Sequence, residues 1–504
     1  MSSIPTPSTS QWVLGATCLI GYLVATTIYN KFFHPLRNVP GPFWCAVSWL
    51  PWYKYWFSGY MHKHMQRLHE TYGPVVRLGP SEVSFIDPAA WKDIYSLKRC
   101  REIERCPKSF PALTPNSARF DLLTVSTKDH AKYRRILNPY FSEKTTKEYE
   151  PTIHQNTDRF VSRLSAQQSK VNITQWLQWL TFDMVADVVW GEPFSCVSEG
   201  KSHPCLALSM DLVSFSSFIV FVAWWPDLKN FLTKLSGVEG MFVNMVRSMC
   251  AANLSTKQSK ASIFSKLTQE GDPLNQPELD GNLSAIVIAG SETTGFILTA
   301  TSYYLARNPE WHKKVAAEIR EAFPTAADIN DDTLRKLPLL RATMDEVLRS
   351  TPAEPNGLAR RVVVDGVDIA GHYIPKGTAV YVSQYAMNHH PDYFHLPNDF
   401  HPERWLNDPK FAGDKLEAVQ PFLMGVNVCI GRGLALMEMR VILAKMLWNF
   451  DWTIEENDGA SFETAKAWHV WMKNPVQVRL QPPTRKGTNN KLINEMVHPF
   501  HQHH

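Results

Sequence analysis

A glycine-bracketed cysteine near the C-terminus, in residues 422–431 (FLMGVNVCIG), constrains this chain more than any other feature. An apolar, helix-prone run at residues 434–447 follows almost at once, so Cys429 is expected just before the start of a helix. Gly425 and Gly431 allow backbone conformations closed to other residues and let a flat ligand lie against the main chain. Unpaired N–H groups and the helix dipole favour negative charge there, so the sulfur is predicted to be a thiolate.

An anionic sulfur beside a glycine loop suits an axial ligand to haem iron. The alternative is a buried free cysteine at a helix start, which is common for a lone cysteine. The glycine spacing and the leading Phe422 favour the ligand. These residues resemble the signature Phe-x-x-Gly-x-Arg/His-x-Cys-x-Gly of the cytochrome P450 family of haem-thiolate monooxygenases. The resemblance implies haem b as cofactor, with Cys429 as its metal ligand and Phe422, Gly425 and Gly431 against it.

Asn427 is the one departure from this signature. It stands where the family usually carries a basic residue that contacts a haem propionate. Asparagine can donate a hydrogen bond but brings no charge and has less reach. One propionate contact is therefore weakened at Asn427, while the cysteine ligand is unaffected.

Composition sets limits on the class of protein. The 504 residues are 44% apolar and 20% charged, which is ordinary for a globular protein with a large core. A net charge of +4 without a dense basic run excludes a nucleic-acid partner. Eight cysteines lie scattered without disulfide or zinc spacing, so those other than Cys429 are expected to be reduced thiols.

Residues 12–29 form a stretch of eighteen residues without a charge. At about 1.5 Å per residue a helix of this length spans roughly 27 Å, close to the bilayer of the endoplasmic reticulum. A cleaved signal peptide is the alternative, but residues 1–11 hold no Lys or Arg, and the basic residues Lys31, His34 and Arg37 follow the span. The pattern predicts a single-pass anchor in the endoplasmic reticulum membrane, with the body facing the cytosol.

Four segments follow from this pattern. Residues 1–30 are predicted to be a luminal tip and transmembrane anchor, and residues 31–45 a proline-rich hinge. Residues 46–482 would form a single haem-thiolate monooxygenase domain. Residues 483–504 are a polar, histidine-rich tail predicted to be disordered, with metal binding as the alternative.

The predicted fold is mainly α with a small β-rich part, which the resemblance identifies as the cytochrome P450 fold. Residues 74–86 alternate as a hairpin around Gly79-Pro80, and residues 361–374 as strands turning at Asp365-Gly366. Further strands are expected at residues 378–383 and 476–480. The pattern from Ser126 to about Arg349 is mostly helical.

Residues 283–307 read as one long, mostly apolar helix that ends before a proline. It contains Glu292, whose carboxylate is costly in an apolar helix unless it has a partner or a function. Thr293 can bond back to an upstream carbonyl and open the helix locally. The alternative is a core helix with a capped acid. The resemblance identifies Glu292 and Thr293 as the family's catalytic acid–alcohol pair, in which the threonine holds bound oxygen and the glutamate relays protons.

Glu346 and Arg349 lie three residues apart on one helical face, and Arg404 follows in a Phe-His-Pro-Glu-Arg-Trp motif. A solvated surface pair is the alternative for the first two. The resemblance implies that all three interlock beneath the haem and fix the cysteine loop, a structural function.

Two more sets carry basic residues. The resemblance implies that His130, Arg134 and Arg360 bind the haem propionates, with Arg134 and Arg360 compensating for the uncharged Asn427. An exposed basic face is the alternative for the first two. Nearby, Lys128, Lys132 and Arg135 are candidates for a patch that docks an acidic electron donor.

The chain has no nucleotide-binding glycine fingerprint, so electrons are expected from a separate protein. By resemblance this is the membrane NADPH–cytochrome P450 reductase. The implied reaction inserts one atom of O2 into an apolar small molecule in secondary-metabolite biosynthesis, with hydroxylation preferred over epoxidation or desaturation. The alternatives are a haem-thiolate isomerase or dehydratase, and a non-catalytic haem-binding protein; such isomerases tend to lose the acid–alcohol pair.

The substrate pocket is located by resemblance alone. Its walls are expected from residues 110–120, 212–225 and 352–358. Glu354 and Asn356 are unusual polar residues in the last segment and could orient a hydroxyl or amine of a substrate. Simple exposure at a loop is the alternative for both.

Overall fold

The computed structural model describes residues 9–106, 121–123, 125–167, 170–204, 206–207, 235, 244, 262–269, 274–455, 462 and 464–484. Two of the three predicted pocket walls, residues 110–120 and 212–225, lie outside these residues, as does the tail after residue 484. The third wall, residues 352–358, is described.

Helices make up most of the described chain, as the sequence predicts. Their bounds are α1 Thr9–Ile28, α2 Phe43–Val47, α3 Leu50–Ser58, α4 Met61–Tyr72, α5 Ala89–Tyr95, α6 Thr127–Leu137, α7 Glu143–Glu148, α8 Glu150–Ser165, α9 Ile173–Trp190, α10 Cys196–Glu199, α11 Ile263–Gln269, α12 Gln276–Arg307, α13 Pro309–Ala322, α14 Asp331–Leu334, α15 Pro338–Ser350, α16 Gln384–Asn388 and α17 Arg432–Asn449.

The strands form a small β-rich part. Their bounds are β1 Val75–Gly79, β2 Glu82–Phe85, β3 Ile103–Arg105, β4 Val171–Asn172, β5 Arg360–Val362, β6 Gly366–Ile369, β7 His372–Pro375, β8 Ala379–Val382, β9 Asp451–Thr453 and β10 Gln477–Gln481. Among them are a five-stranded sheet in the order β1-β2-β8-β5-β3, a three-stranded sheet β4-β10-β9 and the hairpin β6-β7. Within the five-stranded sheet β2 and β8 are parallel, and the other neighbours are antiparallel.

One of the two predicted hairpin turns is confirmed and the other is wrong. Strands β1 and β2 pair on either side of Gly79-Pro80, as expected. The predicted turn at Asp365-Gly366 is wrong, because Gly366 begins β6 and the chain reverses at Ala370 and Gly371. Both of these residues have positive φ, 48° and 77°, which is the backbone of a tight two-residue hairpin turn. Strand β5 instead pairs with β3 and β8.

Helix α12 is the central element of the larger of the two hydrophobic cores. It begins seven residues before the predicted start, because Asn275 and Glu278 form a reciprocal capping box with two 3.0 Å hydrogen bonds. It packs closely on α9, where the Thr181 hydroxyl donates to the Ser291 carbonyl at 3.0 Å. A Cβ at Gly290 would lie 3.0 Å from a Val185 methyl carbon. Glycine at this position allows the close contact between the two helices.

Helix α1 covers the predicted anchor and continues into a π-helical turn at Tyr29–Phe33. The stretch Thr9–Phe33 has a mean hydropathy of 1.6 and is 0% buried, as expected for a membrane span. Helix α12 also has the length and hydropathy of a span, but 67% of its apolar window is buried, which identifies it as a core helix.

The base of α1 is attached to the body by Arg77, which is 2% exposed. Its guanidinium donates to the Asn30 carbonyl at 3.0 Å and to the Pro80 carbonyl at 2.6 Å. Its backbone N–H donates to the Pro40 carbonyl at 2.7 Å. The residues after the span are therefore tied to β1. We call this set of bonds the Arg77 clasp.

Candidate active site and cofactor-binding residues

The loop before α17 presents Cys429. A 3-10 turn at Gly425–Asn427 bends the chain, and the Cys429 N–H then donates to the Phe422 carbonyl at 2.8 Å. Gly425 has φ +65°, and a Cβ there would lie 2.1 Å from the Tyr95 carbonyl oxygen, so only glycine fits. The loop is thus closed on itself and pressed against the end of α5.

The Cys429 side chain keeps accessible surface although protein surrounds it on most sides. Burial raises the pKa of its thiol, and the Gly431 N–H and the positive charges of Arg134 and Arg432 act in the opposite direction. Three groups that stabilise negative charge thus converge on one accessible sulfur. Burial has the largest effect, so the pKa of the free thiol lies above its ordinary value, and these three groups would favour the thiolate once a metal is bound.

A cluster of basic side chains lies beside this loop. Strands β3 and β5 place Arg105 directly opposite Arg360. Like charges at paired positions of a sheet repel each other. His130, at 7% exposure, is close enough that burial and three guanidinium groups lower its pKa to about 3. These belong to Arg105, Arg134 and Arg360. We call these four residues the basic cluster.

The basic cluster fits the carboxylates of haem b. The Arg360 Nε is buried and has no hydrogen-bond partner among the described residues. The Arg134 side chain donates to the Val428 carbonyl at 3.0 Å, which joins the cluster to the cysteine loop. Guanidinium groups bind carboxylates through charge-assisted, often bidentate, hydrogen bonds. A planar ligand with two carboxylates would offset the repulsion between Arg105 and Arg360.

Arg105 was not identified by the sequence reasoning. No motif surrounds it, and its neighbours along the chain say nothing of haem. Only strand pairing could have identified it. Strand β3 pairs antiparallel with β5, and this register places Arg105 opposite Arg360. Asn427 lies in the 3-10 turn of the cysteine loop, where it adds no charge to the cluster.

The structure brings Glu346, Arg349 and Arg404 together with no exposed side-chain surface. Arg349 donates to both carboxylate oxygens of Glu346, at 2.8 and 2.9 Å, and the Arg404 Nε lies 3.0 Å from Glu346 Oε2. The His401 N–H and the Trp405 indole N–H also donate to this carboxylate, at 2.9 and 3.0 Å.

The two arginines use their remaining N–H groups on the segment that leads towards the cysteine loop. Arg349 donates to the carbonyls of Asn388 and Pro397, at 2.7 and 2.8 Å, and Arg404 also pairs with Asp414. The surface-pair alternative is excluded by the complete burial. The geometry is that of a cross-link between α15 and residues 388–414.

Helix α12 positions the acid and the alcohol. The Thr293 hydroxyl donates to the Ala289 carbonyl at 2.7 Å, so the side chain bonds back to its own helix as predicted from the sequence. Glu292 is 3% exposed, and its carboxylate forms an ion pair with Lys473 at 2.7 Å between Oε2 and Nζ. The sequence reasoning missed Lys473, because 181 positions of sequence separate it from Glu292.

Glu354 and Asn356 line a small cleft, together with Trp52, Trp56 and Tyr381. Burial raises the pKa of the Glu354 carboxyl well above its ordinary value. Asn356 is 5% exposed and its amide donates to the Trp468 carbonyl, which excludes simple loop exposure for this residue.

Comparison with known proteins agrees with this geometry. The family model for cytochrome P450 matches residues 39–480. The chain is 66% identical over 479 residues to the cytochrome P450 monooxygenase sdnF of Sordaria araneosa, covering 91% of this chain and 92% of that one. It is 34% identical over 481 residues to a trichothecene C-15 hydroxylase of Fusarium sporotrichioides, covering 92% and 96%. It is also 34% identical over 472 residues to the cytochrome P450 monooxygenase astJ of Aspergillus oryzae, covering 90% and 94%.

The family match spans nearly all of the described body, and its relatives are monooxygenases over almost their full length. Both the mainly helical fold and the cysteine loop agree with it. The chain belongs to the cytochrome P450 family of haem-thiolate monooxygenases, whose cofactor is haem b held by a cysteine thiolate.

Proposed function

We propose that this protein hydroxylates an apolar small molecule of secondary metabolism, with Cys429 as the axial ligand of its haem. The observation that carries the assignment of the site is the basic cluster joined to the cysteine loop by Arg134. A relative named as a hydroxylase, 34% identical over 92% of this chain, supports hydroxylation over epoxidation or desaturation.

Haem b, when bound, supplies oxygen activation from O2 and electrons. The chain's own residues bind and orient it and control protons. Arg105, Arg134 and Arg360 hold its carboxylates, and neutral His130 adds a hydrogen bond to them. On α12, the Thr293 hydroxyl would orient O2. The neighbouring Glu292 would take up and release protons.

The anchor and the electron donor belong to the same proposal. The exposed apolar helix α1 would hold the protein in the endoplasmic reticulum membrane, with the body on the cytosolic side because Lys31 and Arg37 follow the span. Members of the family need a redox partner, and the membrane NADPH–cytochrome P450 reductase is the one that shares this location. Lys128 and Arg135 are exposed for docking, whereas Lys132 pairs with Glu278 at 2.5 Å.

The test is turnover under ¹⁸O₂. The full chain is co-expressed with a fungal NADPH–cytochrome P450 reductase, and microsomes are supplied with an extract of fungal terpenoids and polyketides. We expect a product that contains one ¹⁸O atom and forms only with NADPH and O₂. Turnover of the same compound without NADPH and O₂ would instead assign an isomerase or dehydratase. Microsomes containing Cys429→Ser serve as the matched control.

A further inference from the structure

We infer that Lys473 is a positioning residue for the acid–alcohol pair: its ammonium keeps Glu292 ionised and holds one carboxylate oxygen, leaving the other for proton transfer. This deepens the proposed function, because it rests on Glu292 as the group that relays protons. Lys473 lies outside every motif identified in the sequence.

The ion pair is closed off from solvent. The side chains of Lys473 and Glu292 are 4% and 2% exposed, and Nζ lies 2.7 Å from Oε2. The contact is off the direction of an aligned hydrogen bond, so attraction between charges dominates it. The second oxygen, Oε1, has no hydrogen-bond partner among the described residues.

The backbone around Lys473 fixes where its ammonium can reach. The Thr174 hydroxyl donates to the Asn474 carbonyl at 3.0 Å and accepts the Val476 N–H at 3.1 Å. The Ile173 N–H donates to the Val476 carbonyl at 2.9 Å. These bonds tie the lysine segment to the N-terminus of α9.

The same helix α9 also determines the position of α12. Its Thr181 hydroxyl donates to the carbonyl of Ser291, the residue before Glu292, at 3.0 Å. Gly295 allows this approach, since a Cβ there would lie 2.8 Å from the Thr181 hydroxyl oxygen. The segments that carry the lysine and the glutamate are therefore both hydrogen-bonded to α9.

Electrostatics explains why the lysine is needed. A buried carboxylate without a counter-charge takes up a proton and becomes neutral, because low-dielectric surroundings disfavour the charged form. One ammonium on Oε2 compensates that cost. A fully bonded carboxylate would resist protonation, whereas Oε1 of Glu292 has no donor among the described residues and is the oxygen left to accept a proton. The carboxylate–ammonium pair is restored when the proton has left.

The first test is infrared spectroscopy of the ferric holoenzyme. Lys473→Met removes the charge and keeps most of the side-chain volume. We expect a new absorption from a protonated carboxyl group in this variant, and its loss in the double variant Lys473→Met/Glu292→Gln. Lys473→Arg keeps the charge and should lack the new absorption. An unchanged carboxyl region in Lys473→Met would overturn the inference.

The second test is the yield of product per NADPH consumed. We expect this yield to fall about tenfold in Lys473→Met, while the release of hydrogen peroxide rises. The fall is smaller than the loss of rate expected when an acid–base group itself is removed. Lys473→Arg should recover the yield to within about twofold, which a purely structural role of the native lysine would not predict. Lys466→Met, an exposed lysine on the same segment, is the matched control and should leave the yield unchanged.

The two proposals can fail separately. If the wild-type protein forms no oxygenated product, the proposed function is wrong, and the infrared experiment still decides whether Lys473 keeps Glu292 ionised. If the wild type forms an oxygenated product and Lys473→Met gives the same yield of product per NADPH, only the inference on Lys473 is wrong.

Discussion

Two buried glutamates, Glu346 and Glu292, differ in how completely they are bonded. Glu346 is 0% exposed, and its two oxygens receive contacts from two guanidinium groups, an indole N–H and a backbone N–H. Glu292 is 3% exposed and has one ion-pair partner, Lys473, with Oε1 unpartnered among the described residues. Burial alone does not separate the two residues, but the number of donors does.

This difference fits the proposed functions, in which Glu346 is a structural carboxylate and Glu292 moves protons. Because several buried donors contact the Glu346 carboxylate, a rearrangement there would leave them unpaired and would be costly. Glu292 has one ion-pair partner, and its Oε1 has no donor among the described residues. A count of donors around a buried acid is therefore a better guide to its function than its exposure.

Cys429→Ser removes the proposed thiolate ligand and should have the largest effect. We expect the reduced, carbon monoxide-bound protein to lose the absorption band of a thiolate haem, and product formation to stop. A serine oxygen is a weaker donor to iron than a thiolate. Cys100→Ser, a partly exposed cysteine, is the control. A thiolate-type spectrum from the Cys429 variant would refute the assigned ligand.

Glu346→Ala removes the carboxylate that two buried arginines share. We expect a loss of about 3–5 kcal/mol in the free energy of unfolding, because the guanidinium groups are left buried and unpaired. Protein lacking haem should result, as measured by the haem-to-protein ratio and by urea unfolding. Glu310→Ala breaks the exposed pair with Lys313 and should change little. A normal haem-to-protein ratio after Glu346→Ala would show that Glu346 is not needed to hold the haem.

Glu292→Gln should give the opposite pattern. We expect product formation to fall about 100-fold, because an amide cannot take up and release a proton, while the haem ratio stays at the wild-type value. Product assay and haem content are measured on the same preparation. Loss of haem here would make Glu292 a structural acid like Glu346.

Asn427→Arg should have the smallest effect. It restores the basic residue usual in the family, but the basic cluster already holds three arginines. We expect haem transfer to apomyoglobin to slow by no more than about fivefold, the size of a partly exposed ion pair of about 1 kcal/mol. Slowing by several orders of magnitude would show that the cluster fails to compensate for Asn427.

Regular elements with strong local signals were predicted well. The anchor helix, α17 and the end of α12 follow from uncharged runs, helical periodicity and a proline. The start of α12 was misplaced because its capping box lies before the apolar run. The turn at Ala370-Gly371 was missed because an alanine in a left-handed conformation has no signal in composition.

Candidate site residues could be proposed from the sequence where they sit inside motifs. The residues Cys429, Arg134, Arg360 and the Glu346 set were all found that way. Arg105 and Lys473 could not be, because strand register and the return of the C-terminal segment to α9 bring them in from a distance. The close helix contact at Gly290 could not be predicted either, because it is made with a Val185 methyl group on another helix.

The Arg77 clasp has a mechanical consequence. A span joined to its body by a slack linker pivots freely, and the tilt of the body is then set by whatever surface it meets. Here the last turn of the span and the first strand share hydrogen bonds through one buried guanidinium. The direction in which the N-terminal helix leaves the body is thus restrained by one side chain of β1.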